Sequence, residues 1–239
     1  MRTPWRLFRG WNDEEIADSL QSLHGRARNF DDSIEEMSAN GGWHYYSSES
    51  VIAHSAPGSG EGDPIFERAR EAVSNYEFSD PNIVVAYFDP EGPLEGRYML
   101  LELKASGLVN VLGGTIVGDV HEEATHDETV FVFRYDTLAG HIERGVEWFK
   151  LVKDHSTGKI RFRIEAYWQE GEFPTWWMRL GFKLFGKRYQ ERWHREAHEV
   201  LSRIAHRPAT SFMAETDTDL VYTNPEVLFE RTPSRNVKQ

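Results

Sequence analysis

The chain has 239 residues, 39% of them hydrophobic and 13% aromatic, enough for one large domain with a substantial buried core. A net charge of −12 argues against a general nucleic-acid role, which needs a basic footprint, and the lack of cysteine excludes disulfides, thiolate nucleophiles and Cys-ligated zinc. The opening MRTPWRLFRGWNDEE has no continuous apolar core of the signal-peptide kind, and no run approaches the ~18 apolar residues of a membrane span, so a soluble, cytoplasmic protein is expected.

Residues 1–41 read as a basic, aromatic arm (Arg2, Trp5, Arg6, Phe8, Arg9, Trp11) and a short helix from Asp13 to about His24. Asn12 or Asp13 caps it, and Ile16, Leu20 and Leu23 form its apolar face. Gly41-Gly42 opens a strand, WHYYSSESVIA, and SAPGSGEGD is a loop. Asp63 and Pro64 start a second helix, with Ile65, Ala69, Ala72, Val73 and Tyr76 as its stripe. From Asn82 to Gln169 the pattern is strands joined by short turns: IVVAYFD, RYMLLELKAS, LVNVLGGTIVGDVH, ETVFVFRYDTL, GVEWFKLVK and KIRFRIEAYWQ. Gly113-Gly114 should weaken or bulge the third. In the last, Ile160, Phe162, Ile164, Ala166 and Trp168 alternate with polar or half-polar neighbours, as a strand with one wet face requires.

A long helix follows from Pro174 to about His206. Met178, Phe182, Phe185, Tyr189, Trp193, Ala197, Val200 or Leu201, and Ile204 recur at three or four residues along it, with Pro174 in the first turn and Pro208 just past the end. At 1.5 Å per residue it makes a rod of about 45 Å. Residues 207–239 lack periodicity and read as an extension, partly disordered. Sequential strands with short connections make an antiparallel meander, so the expected class is α+β: a curved sheet of about seven strands wrapped on the terminal helix. A bowed sheet and a straight rod differ in curvature, which should leave a space between them. Tyr135, Trp148 and Phe162 would line it from the sheet, and Trp176, Trp177, Phe182, Phe185 and Tyr189 from the helix.

The run FRYDTLAGHIERGVEWF, residues 133–149, resembles the signature of the DUF1990 family, a pattern close to YGTL-x-GHPE-x-GEE-x-F. Tyr135, Thr137, Leu138, Gly140, His141, Glu143, Gly145, Glu147 and Phe149 match, whereas Asp136, Ile142 and Val146 replace its Gly, Pro and Glu. FERAREA, PLEGRYMLLE and the long helix with Arg179 and Gln190 extend the resemblance over roughly residues 42–206. It implies the helix-grip fold, Bet v 1-like and START-related, for that stretch, and no established reaction.

His141, Glu143, Gly145 and Glu147 share strand parity, so their side chains would project to one side. Were that side the cavity, Glu147 or Glu143 beside apolar neighbours would have a raised pKa and could act as acid or base with His141. The alternative places His141 and Glu143 at a sheet corner, bonded to backbone after Leu138. The loss of a carboxylate at Val146 counts against a catalytic doublet. HEEATH, residues 121–126, has the wrong spacing for a zincin and reads as a solvated strand-to-strand loop; His194 and His198 read as a solvent-facing pair, and no metal site or cofactor is expected. Arg179, Lys183 and Lys187 give the long helix a basic side that local glutamates offset. The leading expectation is a binder of a small apolar or amphipathic molecule. An enzyme using His141 and Glu147 comes second, and a protein docking a membrane surface or partner through the basic helix side comes third.

Overall fold

A computed structural model describes residues 4–38, 41–105, 108–207 and 225–231. The seven expected strands are present: β2 (His44–His54), β3 (Val84–Tyr87), β4 (Tyr98–Ala105), β5 (Val109–Ala124), β6 (Glu128–Thr137), β7 (Glu143–Asp154) and β8 (Lys159–Glu170). The arm and the tail add one each, β1 (Trp5–Leu7) and β9 (Leu228–Arg231). The result is one curved, antiparallel nine-stranded sheet of order β3-β4-β5-β6-β7-β8-β2-β9, with β1 paired to β5 alone. β6 pairs with β5 from Thr115 onward, so β1 occupies the part of that edge at Val109–Val111 that β6 leaves open.

Part of the tail is therefore structural. β9 lies along β2 (Ser48 opposite Phe229), and Arg231 stands 4.1 Å over the Tyr46 ring and 3.1 Å from Glu191. The disorder expected of the rest of 207–239 falls almost wholly on positions outside the described residues.

Among the described residues three α-helices cover the sheet. α1 (Asp13–Gln21) starts at a capping box between Asn12 and Glu15 and lays Ile16 against Leu100 and Leu112. α2 (Pro64–Ser74) and α3 (Trp176–Ala205) share the opposite face, so β4 is covered on both sides and its sequence reads as a continuous apolar run. Asp63 caps α2 and receives the fully buried Lys153 ammonium of β7 at 2.6 Å, which pins the helix start to the sheet. The cap of α3 is Thr175, so Pro174 precedes the helix instead of opening it.

Gly113-Gly114 is not a bulge. Both residues pair in register with Leu101 and Leu100, and the register shift in β5 falls later, between Val117 and Asp119. The two glycines serve close approach instead: a Cβ on Gly113 would overlap the His141 ring, and one on Gly114 would overlap Leu23. Gly145 is needed for its backbone, with φ of 145° and the Tyr167 carbonyl where a Cβ would stand.

Candidate functional site

The core between sheet and helices is hollow at one end. A cavity of about 350 Å³ lies beneath the first half of α3, walled by β4, β5 and the loop entering β7. Tyr135, Trp177, Phe182, Phe185 and Tyr189 line it, together with Val84, Leu101 and Ile142. Three expected wall residues do not. Trp148 has the opposite strand parity from Glu147 and packs beside Tyr167 on the far face. Phe162 is completely buried between Phe78 and His198. Trp176 precedes the turn that faces the sheet and is 78% exposed.

The polar end of the cavity comes from β6, β7 and α3. Tyr135 donates its hydroxyl to Glu147 Oε2. Glu147 Oε1 lies 4.0 Å from His194 Nε2. Burial raises the Glu147 carboxyl to about 8, the Tyr135 hydroxyl opposes that rise, and nearby Glu143 adds to it. Burial also lifts Glu143 to about 7, and the accessible surface that Glu143 keeps lets water temper the rise. Both acids line the cavity, so the shared parity read from the sequence holds for them.

His141 sits before β7, at the corner that the alternative reading described. Its Nδ1 lies 3.0 Å from both the amide nitrogen and the carbonyl oxygen of Glu143. Thr137 Oγ1 completes the corner by accepting from the Gly145 amide at 2.8 Å and donating to Asn29 Oδ1 at 2.6 Å. His141 nevertheless reaches the cavity: the residue is 3% exposed, it lines the hollow, and Nε2 has no hydrogen-bond partner among the described residues. Burial lowers its pKa to about 4, so the ring is neutral at pH 7.

His194 and His198 correct the expectation of a solvent-facing pair, because both are 0% exposed. Ser48 Oγ bridges them, 2.7 Å from His194 Nδ1 and 2.8 Å from His198 Nε2, and Ser50 Oγ holds His198 Nδ1 at 2.8 Å. Desolvation keeps both rings neutral. A signal was present: 194, 198, 201 and 205 follow the spacing of a core stripe, and Ser48 and Ser50 share one face of β2.

The remaining motifs are structural. Asp136, where the family pattern has Gly, is wholly buried and held by Arg28 at 2.9 Å and Arg134 at 2.8 Å. Val146 faces away from the cavity under Phe30, Met37 and Trp43, so the carboxylate lost there would not have joined Glu147. HEEATH ends β5 and enters the hairpin turn, with His121 in the strand itself and exposed. On the basic side of α3, Arg179 and Lys183 both reach Glu170, at 2.7 and 3.5 Å. Among the described residues no helix is long and apolar enough to cross a membrane, and no group of His, Asp and Glu is placed to hold a metal ion.

A protein-family model described as Domain of unknown function (DUF1990) matches residues 33–200. No curated protein matches the chain. Among solved structures, the crystal structure of Ara h 8.0201 is similar with a TM-score of 0.40 and 12% identity over 68% of this chain and 97% of that one. A protein from Arthrobacter aurescens solved by NMR scores 0.36 with 12% identity, covering 78% and 96%. Human STARD10 scores 0.36 with 7% identity, covering 81% and 80%. Likeness that distant says nothing about ligands.

Proposed function

The chain belongs to the DUF1990 family, which carries no assigned reaction, and from that premise and the hollow under α3 we propose that it binds a small apolar or amphipathic molecule. The observation that carries this reading is a cavity of about 350 Å³ walled by aromatic and aliphatic side chains from both sheet and helix. Small-molecule sites are of this size and composition, with a few convergent polar groups. An interior left empty would forgo dispersion contacts along its whole lining.

Native mass spectrometry of gently purified protein, with titration of the neutral dye Nile red, tests it. A co-purified mass or a saturable dye signal is expected. Gly181→Phe should abolish either one, because Gly181 lines the cavity and its missing Cβ meets nothing within 4 Å. Absence of both signals in the unaltered protein would overturn the reading.

A second reading, proton transfer on the bound molecule, has one observation in its favour. Glu147 stays protonated near neutral pH, as a general acid must, and its neighbour is His194, not the expected His141. On that reading the co-purified molecule is converted by the unaltered protein and persists unchanged in Glu147→Gln.

A further inference from the structure

Two acids face a largely apolar cavity, and among the described residues no Lys or Arg lines it. The histidines that share the lining cannot compensate for them, since burial holds both neutral. The same histidines present a second, independent oddity. Among the described residues, His141 Nε2 and His194 Nε2 are buried ring nitrogens without hydrogen-bond partners, and both residues line this cavity. Buried polar atoms are almost always satisfied, so two orphans at one end of a hollow indicate something that completes them. An anion would find no cation there and would have to hold both acids in their neutral form.

We propose that this end of the cavity takes a protonated amine: the bound molecule is an apolar amine whose ammonium group sits among Glu143, Glu147, His141 and His194. An ammonium has N–H donors for several acceptors at once, which matches two carboxylates and a ring nitrogen. In His141 the Glu143 amide donates to Nδ1, which leaves the ring proton on Nε2 as a donor toward the cavity. The ring nitrogen open to the ammonium is His194 Nε2, an acceptor when Nδ1–H donates to Ser48, whose hydroxyl then donates to His198. The aromatic rings of Tyr76, Trp193 and Tyr189 close the surroundings, a setting that favours cations over anions.

The proposal rests on the binding reading above and adds a pH dependence. The ionisable groups facing the ammonium are Glu143 and Glu147 from β7, Tyr135 from β6, Tyr76 after α2, His141 from the corner, and His194 and Tyr189 from α3. The tyrosines stay protonated because burial raises them, and Arg231 of β9 further disfavours charge on His194. Only the two acids change state near neutrality. The bound cation draws their protons off into solvent, so amine affinity climbs as pH rises through about 7 and about 8.

Isothermal titration calorimetry with octylamine, 1-octanol and octanoate tests this at pH 7 in two buffers of different ionisation enthalpy. Octylamine should bind roughly tenfold or more tighter than octanol, with protons released, and octanoate should bind worst. Glu147→Gln, and separately Glu143→Gln, should each reduce the amine preference several-fold and diminish the proton release. Equal binding of octylamine and octanol, or no proton release, would overturn the amine assignment while leaving the binding reading intact if Nile red still binds. Failure of the whole series together with Nile red would remove both.

Discussion

Glu147→Gln should stabilise the protein at neutral and alkaline pH. Glu147 is 9% exposed, and its pKa rises from an ordinary 4.5 to about 8 on folding. The folded state therefore holds this proton more tightly than the unfolded chain does. Folding is favoured most below the unfolded value and loses stability as pH rises through the folded one. Each pKa unit is worth about 1.4 kcal/mol, so the penalty is on the order of 3 kcal/mol at pH 7 and approaches about 5 kcal/mol by pH 9. Glutamine keeps the shape and an oxygen for the Tyr135 hydroxyl but cannot ionise. Urea unfolding between pH 4 and pH 9 should give curves that nearly coincide at the acid end and separate by several kcal/mol at the alkaline end, with the variant more stable. Parallel curves, or a variant less stable at every pH, would refute the argument and show that the carboxyl is solvated or paired in the folded state.

Two further substitutions test the corner and the buried histidines. Gly113→Ala forces the His141 ring out of place, and overpacking of that kind costs about 1–3 kcal/mol. A double-mutant cycle with His141→Ala should recover part of the loss, and strict additivity would mean the two side chains do not meet. Ser48→Ala leaves His194 Nδ1 and His198 Nε2 without their shared partner, so thermal or urea unfolding should show a loss of about 2–4 kcal/mol. A change below about 0.5 kcal/mol would mean that water replaces the hydroxyl without cost.

Most of the scaffold could be read from residue order, because period and punctuation are local signals. The alternation in β8, the Asp63-Pro64 start of α2 and the stripe of α3 each state their structure within a few residues. What could not be read depends on contacts distant in sequence. Gly113 and Gly114 look like a strand defect until His141 and Leu23 are brought against them. His194 and His198 look like surface residues until Ser48 and Ser50, some 146 to 150 positions earlier, supply their hydrogen bonds. Val146 and Glu147 are neighbours in a motif yet face opposite sides of the sheet, and only the position of the Phe30–Trp43 segment shows which side is covered by what.

The expected cause of the cavity, a bowed sheet that no single rod can fill, also needs amendment, because α3 does not span the concavity alone. Over its second half, Ala197, Leu201, Ile204 and Ala205 pack in one cluster with Ala69, Ala72 and Val73 of α2, and Arg68 reaches the Ala205 carbonyl at 2.7 Å. Two helices with small residues at their contact fill that end of the sheet. Toward its start α3 has no such companion among the described residues, and its side chains there are large aromatics separated by Gly181 and Gly186. Glycine inside a helix costs roughly 1 kcal/mol each relative to alanine, so this half gives up intrinsic stability at the positions that leave room. The hollow therefore follows from where α2 ends as much as from curvature. Its polar groups cluster where the two regimes meet, at His194, the first α3 residue after Trp193 that is fully enclosed.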